Sequence, residues 1–103
     1  MEVKIATEGT TTTVSFIGRL DTPVSQEVAA QVEPVLAKAD GTIVLDCKEM
    51  SYISSSGLRI FLTVRKAAAA KGGRVIVRDM NPDIRNVFMM TGFLNLFEIA
   101  ESK

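Results

Sequence analysis

Three consecutive hydroxyl side chains followed by a glycine, Ser54-Ser55-Ser56-Gly57, are the residues of this chain best suited to chemistry. They sit within Tyr52-Ile53-Ser54-Ser55-Ser56-Gly57-Leu58, a stretch that joins an apolar run of strand character to one of helix character. A serine-rich helix start offers backbone N–H groups and the positive end of the helix dipole. These suit an oxygen-rich ligand, or a phosphate carried by the chain itself. An ordinary N-cap and turn would use the same residues. Hydrolytic use of the serines is excluded as an autonomous activity, because the sequence has no histidine to act as base. The same absence removes any His-ligated metal centre. Cys47, the single cysteine, has neither a histidine nor a second thiol to activate it and reads as a small buried residue. No Gly-rich loop with a lysine accompanies the serines, so nucleotide binding lacks its usual sequence support. Asp21, Asp46 and Asp79 each follow an expected strand. They admit an acidic magnesium pocket, but separate caps and turn acids are the favoured reading. No catalytic residue, metal or cofactor is expected.

The elements that must position the serines follow from hydropathy patterning. Val3 to Ala6 and Thr12 to Ile17 read as strands of a hairpin turning at Glu8-Gly9-Thr10, and Gly18 reads as the end of the second. Asp21, Thr22 and Pro23 supply capping side chains and a proline suited to a first helical turn. The helix they open carries Val28, Val32, Val35, Leu36 and Ala39 at three-and-four spacing, with a kink or restart expected at Pro34. Thr42 to Cys47 is continuously apolar enough to be a central strand covered on both faces. After the serines, Leu58 to Ala70 reads as a helix stopped by Lys71-Gly72-Gly73, and Arg74 to Arg78 as a second buried strand. Asn81, Pro82 and Asp83 open a last helix with Ile84, Val87, Phe88 and at least one of Met89 and Met90 inward. Gly92 ends it, Leu94 to Ile99 gives a final strand, and Glu101-Ser102-Lys103 is expected to fray. Helices alternating with strands require crossover connections. The fold class is therefore α/β: an N-terminal hairpin leading into a mixed, largely parallel sheet with helices packed against it.

At 103 residues and 47% hydrophobic content the chain suits one domain, residues 1–103, with a real core. Twelve basic and twelve acidic residues cancel, which argues against a nucleic-acid partner or an anionic membrane surface. A lone cysteine excludes an intramolecular disulfide, and neither a signal-peptide h-region nor a run of roughly 18 apolar residues is present. A cytoplasmic location and no membrane insertion are expected.

Taken together, four pieces in order resemble the STAS domain, and among its members the stand-alone anti-sigma factor antagonists of bacteria. Gly18-Arg19-Leu20-Asp21 is similar to that family's Gly-x-Leu-Asp before its first helix, and Ile43-Val44-Leu45-Asp46 to its central strand and terminal acid. Tyr52 to Leu58 is similar to its aromatic-x-Asp-Ser-Ser-Gly-Leu signature, and Asn81-Pro82, Val87-Phe88 and Thr91-Gly92-Phe93 to its last helix and exit. The resemblance implies a non-enzymatic partner switch. The unmodified protein would bind an anti-sigma factor with serine kinase activity and so free a sigma factor. Phosphorylation of the signature serine would break the complex, and a metal-dependent serine phosphatase would restore it. Position by position, the phosphoacceptor is Ser55, with Ser56 and Ser54 as runners-up, and the turn glycine is Gly57. The partner surface comprises Asp21, Ser54, Ser55, Ser56, Gly57 and Arg59.

Two residues depart from the pattern. Ser54 stands where the family has aspartate, and Arg59 where it often has a small residue. Arg59 is expected to pair either with a phosphate or with acids of a partner. Loss of the acid at position 54 opens a second reading, a constitutive, unphosphorylated STAS module scaffolding a signalling or lipid-transport complex.

Overall fold

The computed structural model describes residues 1–101; the fraying expected at Ser102 and Lys103 lies outside the described residues. β1 (Glu2–Glu8) and β2 (Thr11–Leu20) form the antiparallel hairpin, with Gly9 at φ +62° in the turn. From there every strand pairing is parallel. β3 (Thr42–Asp46) lies beside β2, β5 (Arg74–Arg78) beside β3, and β6 (Glu98–Ala100) beside β5. The order is β1-β2-β3-β5-β6, and a short β4 (Met50–Ile53) pairs with the far end of β2. Three of the connections are helical, α1 (Thr22–Leu36), α2 (Ser55–Lys71) and α3 (Pro82–Met90), while β3 passes to β4 through a turn in which the Met50 N–H donates to the Cys47 carbonyl at 3.1 Å.

Alternation sorts the sheet into two faces. Val14, Phe16, Ile43, Leu45, Val75 and Val77 point into one core, which also takes Val28, Val32 and Val35 from α1, Leu58, Phe61 and Val64 from α2, and Ile84 and Phe88 from α3. β3 is central, as expected, but its second face is not covered by a helix core. Val44 is buried there, outside the main cluster, among half-buried Thr13, Ser15, Asp46, Ile76 and Arg78. A continuous apolar run indicates central position, and neighbouring strands alone can bury the middle residue. Phe61 is the hub of the core. It is fully buried, with ring centroids 5.2 Å from Phe16, 5.7 Å from Phe88 and 6.5 Å from Phe97.

Several boundaries differ from the sequence expectation. β2 runs through Gly18 instead of ending there, because glycine tolerates the φ of +103° that the strand irregularity demands. α1 neither restarts nor stops at Pro34 but continues to Leu36; so near the C-terminus, the proline deprives only the Ala30 carbonyl of its helical donor. β6 is confined to Glu98–Ala100. Gly92, at φ +79°, reverses the chain, and Phe93–Asn95 coil into a 3₁₀ turn that delivers Phe97 to the core. Met89 and Met90 are both on the surface, 59% and 71% exposed, since Ile84 and Phe88 alone occupy the buried stripe of α3. Glu101 reaches back to Arg85 Nη1 at 3.8 Å.

The ends of the elements are fastened locally. The Asn81 side chain accepts from the Ile84 N–H at 2.8 Å and donates to the Met50 carbonyl at 3.0 Å, which caps α3 and ties it to β4. Arg74 holds Glu98 bidentately at 2.7 and 2.9 Å across β5 and β6, and this bond keeps the Glu98 carboxyl below its ordinary range. Among the described residues, no helix is long and apolar enough to cross a membrane. Since Phe61 bridges sheet, α2 and α3, Phe61→Ala is expected to cost about 3–5 kcal/mol, against the roughly 5–15 kcal/mol typical of a whole domain. Urea unfolding checks this: the midpoint should fall sharply with an unchanged slope.

Candidate functional site: the shared helix start

The serine segment is positioned by β4, the one strand that sequence patterning missed. With only four residues and Ser51 and Tyr52 both exposed, it has no alternation to read. Its register with β2 is Gly18↔Met50, Arg19↔Tyr52 and Leu20↔Ile53, and the step between Gly18 and Arg19 accommodates one extra residue on β4. The Gly18 N–H donates to the Glu49 carbonyl and the Ser54 N–H to the Leu20 carbonyl, each at 2.9 Å. Two parallel strands thus end side by side, and each enters a helix at once. The Ser56 hydroxyl donates to Thr22 Oγ1 at 3.2 Å and links the starts of α1 and α2.

The three serines are not equivalent. Ser54 is the N-cap of α2: its backbone is extended, its hydroxyl accepts from the Gly57 N–H at 3.2 Å, and it is only 9% exposed. Ser56 is half-buried and shares its hydroxyl between Thr22 and Ser54, the latter at 3.4 Å. Ser55, the first helical residue, is exposed, and its hydroxyl has no hydrogen bond among the described residues. Serine and aspartate are comparably good N-caps, so Ser54 keeps the geometry that an aspartate would give while omitting its charge. Gly57 is a packing requirement: a Cβ there would come within 2.8 Å of Leu20 Cγ and 2.9 Å of Ile53 Cγ1, both in buried side chains.

Asp21 sits at the N-cap position of α1 but, contrary to expectation, makes no capping bond. One carboxylate oxygen lies 3.6 Å from Arg19 Nε; the other, Oδ1, is buried without a hydrogen-bond partner among the described residues. The Arg19 guanidinium stands 4.4 Å over the Tyr52 ring, and Tyr52 is 41% exposed. Arg19, Tyr52 and Thr22 therefore join the ledge, though the partner surface expected from the sequence includes none of them. The available signal was the period of two in Arg19-Leu20-Asp21, which puts both charges on the side opposite buried Leu20. Arg59 is exposed one turn into α2 and lines, with Ser56, Gln26 and Glu33, a groove of about 250 Å³ between α1 and α2. The structure thus gathers Asp21, Ser54, Ser55, Ser56 and Gly57 at one end of the sheet, with Arg59 at its edge.

The other two acids belong elsewhere. Asp46 and Asp79 converge on Arg78, with Arg78 Nη2 3.2 Å from Asp46 Oδ2 and Arg78 Nε 3.6 Å from Asp79 Oδ2; Ser15 donates to Asp46 at 3.1 Å. Asp21 takes no part in this cluster. Among the described residues no group of three or more acids or thiols is arranged to hold a metal. Cys47 is fully buried beside these carboxylates. Burial above all, then the charges of Asp46 and Asp79, push its thiol far above the ordinary range, so it is no nucleophile at neutral pH.

Two substitutions separate cap from packing. Ser54→Ala should cost about 1 kcal/mol through the lost N-cap, a fall of several degrees in the melting temperature. Gly57→Ala adds overpacking of about 1–3 kcal/mol that a helix-propensity gain of at most ~1 kcal/mol does not cancel. Calorimetry on both variants checks the pair; a melting temperature at or above wild type for Gly57→Ala would contradict the steric argument.

Comparison with known proteins agrees with this geometry. The family model for the STAS domain matches residues 2–103. BtrV of Bordetella bronchiseptica, described as a candidate anti-sigma factor antagonist, is 39% identical over 77 residues, 75% of this chain; the chain spans 63% of that relative's length. An anti-sigma F factor antagonist of Paenibacillus polymyxa is 30% identical over 91 residues, 87% of this chain and 78% of the relative. Two solved structures share the fold. A candidate anti-sigma factor antagonist of Thermotoga maritima superposes with a TM-score of 0.89 at 14% identity, over 97% of this chain and 86% of its own. The Bacillus cell fate determinant SpoIIAA, in its phosphorylated form, gives 0.77 at 20% identity, over 99% and 92%. With the family model matching from Glu2 to the last residue, and the signature segment folded as a strand end, cap and helix start, the chain belongs to the STAS domain family.

Proposed function

We propose that this protein is an anti-sigma factor antagonist whose docking surface is the shared start of α1 and α2, and whose release signal is phosphorylation of Ser55. The carrying observation is the division of labour among the serines. Ser54 and Ser56 spend their hydroxyls on the fold, while Ser55 offers an exposed and uncommitted one at the first helical position. The names of the Bordetella and Paenibacillus relatives support the antagonist role, and SpoIIAA supplies a case of this fold in a phosphorylated form.

The physical sequence is short. Unmodified, the ledge is small and hydroxyl-lined, bordered by Arg19, Tyr52, Asp21 and Arg59, and it docks on an anti-sigma factor that is itself a serine kinase. The kinase transfers the terminal phosphoryl group of ATP to the Ser55 oxygen, whose proton is lost, and ADP leaves. The product carries about −1.5 to −2 charges at a helix N-terminus, where the dipole favours them, so the fold persists. At a desolvated interface the same charge is unpaired or faces carboxylates, and the complex separates. Hydrolysis by a metal-dependent serine phosphatase resets the ledge. The protein itself performs no catalysis in this cycle, which we assign to the cytoplasm and which involves neither nucleic acid nor membrane.

Incubation with ATP and the cognate kinase, read on a phosphate-affinity gel, tests the assignment. Wild type and Ser56→Ala should shift and Ser55→Ala should not, while Ser55→Glu should lose at least tenfold in affinity for the unmodified protein's partner. An equal shift in Ser55→Ala would move the site. No shift in wild type, with complex formation intact, would establish the constitutive binding module, the outcome that Ser54 in place of an acid favours.

A further inference from the structure

Helix α2 carries Arg59, Arg65, Lys66 and Lys71 but no aspartate or glutamate anywhere in Ser55–Lys71. Its first turn therefore lacks the acids that ordinarily complement a helix N-terminus. The cation nearest that end is Arg59, four residues after Ser55. Residues at this spacing share a helix face with Cβ atoms roughly 5–6 Å apart, and helical side chains lean toward the N-terminus, so the guanidinium can reach over the preceding turn. Both residues are exposed. The Arg59 side chain has no hydrogen bond or ion pair among the described residues; only its backbone carbonyl is used, as acceptor for Thr63 Oγ1 at 3.0 Å. Glu33 lines the same groove without pairing to it.

We propose that phosphorylated Ser55 captures Arg59 in an intrahelical bridge, so that modification alters two features of the docking ledge at once. This rests on the reading of Ser55 as the acceptor. The anion lies N-terminal to the cation at the i, i+4 spacing, the more favourable order, and the planar guanidinium presents two parallel N–H donors to phosphate oxygens. Before modification Arg59 is a mobile cation available to carboxylates of a partner. Afterwards it is folded back on its own helix, its charge neutralised by the group that repels the partner. Release then combines an added dianion with a withdrawn cation. The bridge also shields the phosphate, leaving the modified form a stable state that a phosphatase must open.

The test uses full-length protein with phosphoserine installed at position 55 by encoded incorporation, so it does not depend on whether a kinase recognises the site. A ³¹P NMR titration follows the second ionisation of the phosphate, which lies near pH 6 when unperturbed. The bridge should hold it about half a pH unit lower in wild type than in Arg59→Gln, a size appropriate to an exposed ion pair. Lys66→Gln, on the same helix about 16 Å along the axis from Ser55, should titrate as wild type does. Equal values in wild type and Arg59→Gln, or equal shifts in both variants, would overturn the bridge while leaving Ser55 phosphorylation itself untouched. Failure of the kinase assay beside a positive titration would have the opposite meaning: the bridge is real, and its natural trigger lies elsewhere.

Discussion

Everything at the candidate site depends on one hydrogen-bonded seam, the parallel contact between the last residues of β2 and the whole of β4. The rung from the Ser54 N–H to the Leu20 carbonyl closes that seam and fixes where both helices begin. Leu20 and Ile53 then form the floor of the ledge, and the missing side chain of Gly57 is what lets α2 descend onto them. If the floor rose by one methyl group, the first turn of α2 would have to lift. The serines would then lose their relation to Thr22 and Asp21. The site is therefore set by core packing beneath it more than by the polar contacts on its surface, several of which are 3.2 Å or longer.

That arrangement also explains what could be read from the sequence. The hairpin, the three helices, the central strand and the parallel order followed from patterning, turn and capping residues: the helices and β2 bury regular stripes, β3 is a continuous apolar run, and the almost wholly exposed β1 is marked by its turn. The signature serines and glycine were visible as a helix start for the same reason. The misses share a cause as well. β4 is too short and too exposed to show a period, and it exists because β2 extends past Gly18 to receive it. The stretch from Leu94 to Ile99 looks like a strand, yet only its end is one, because a turn begun at Gly92 packs Leu94 to Phe97 equally well; composition does not distinguish the two. The exposure of both Met89 and Met90 was hidden by the shortness of α3, in which two residues suffice to anchor the helix.

Within the site, residue identity foretold position better than bonding. Ser54, Ser55, Ser56, Gly57 and Asp21 came together, but their roles were legible only in three dimensions. Asp21 looked like a cap and is instead a partner of Arg19 with one buried oxygen left over. The side of the strand that Arg19 takes was legible in local alternation, but its stacking on Tyr52 came through strand register, a relation between segments that no local window contains. Asp46 likewise met Arg78 across β3 and β5, where Arg78 also holds its neighbour Asp79, and the two carboxylates add their charge to the burial that chiefly shuts off the thiol of Cys47.

The neutral cap at Ser54 has a wider consequence. In a loop where one aspartate both holds the helix start and advertises negative charge, shape and electrostatic identity cannot change independently. Here a hydroxyl performs the holding, so the contour of the ledge is insulated from its charge. Replacement of the exposed side chains around the ledge, such as Arg19 and Arg59, would therefore change its charge and leave the start of α2 in place. Electrostatic character becomes a property of a few peripheral side chains resting on an architecture that need not move.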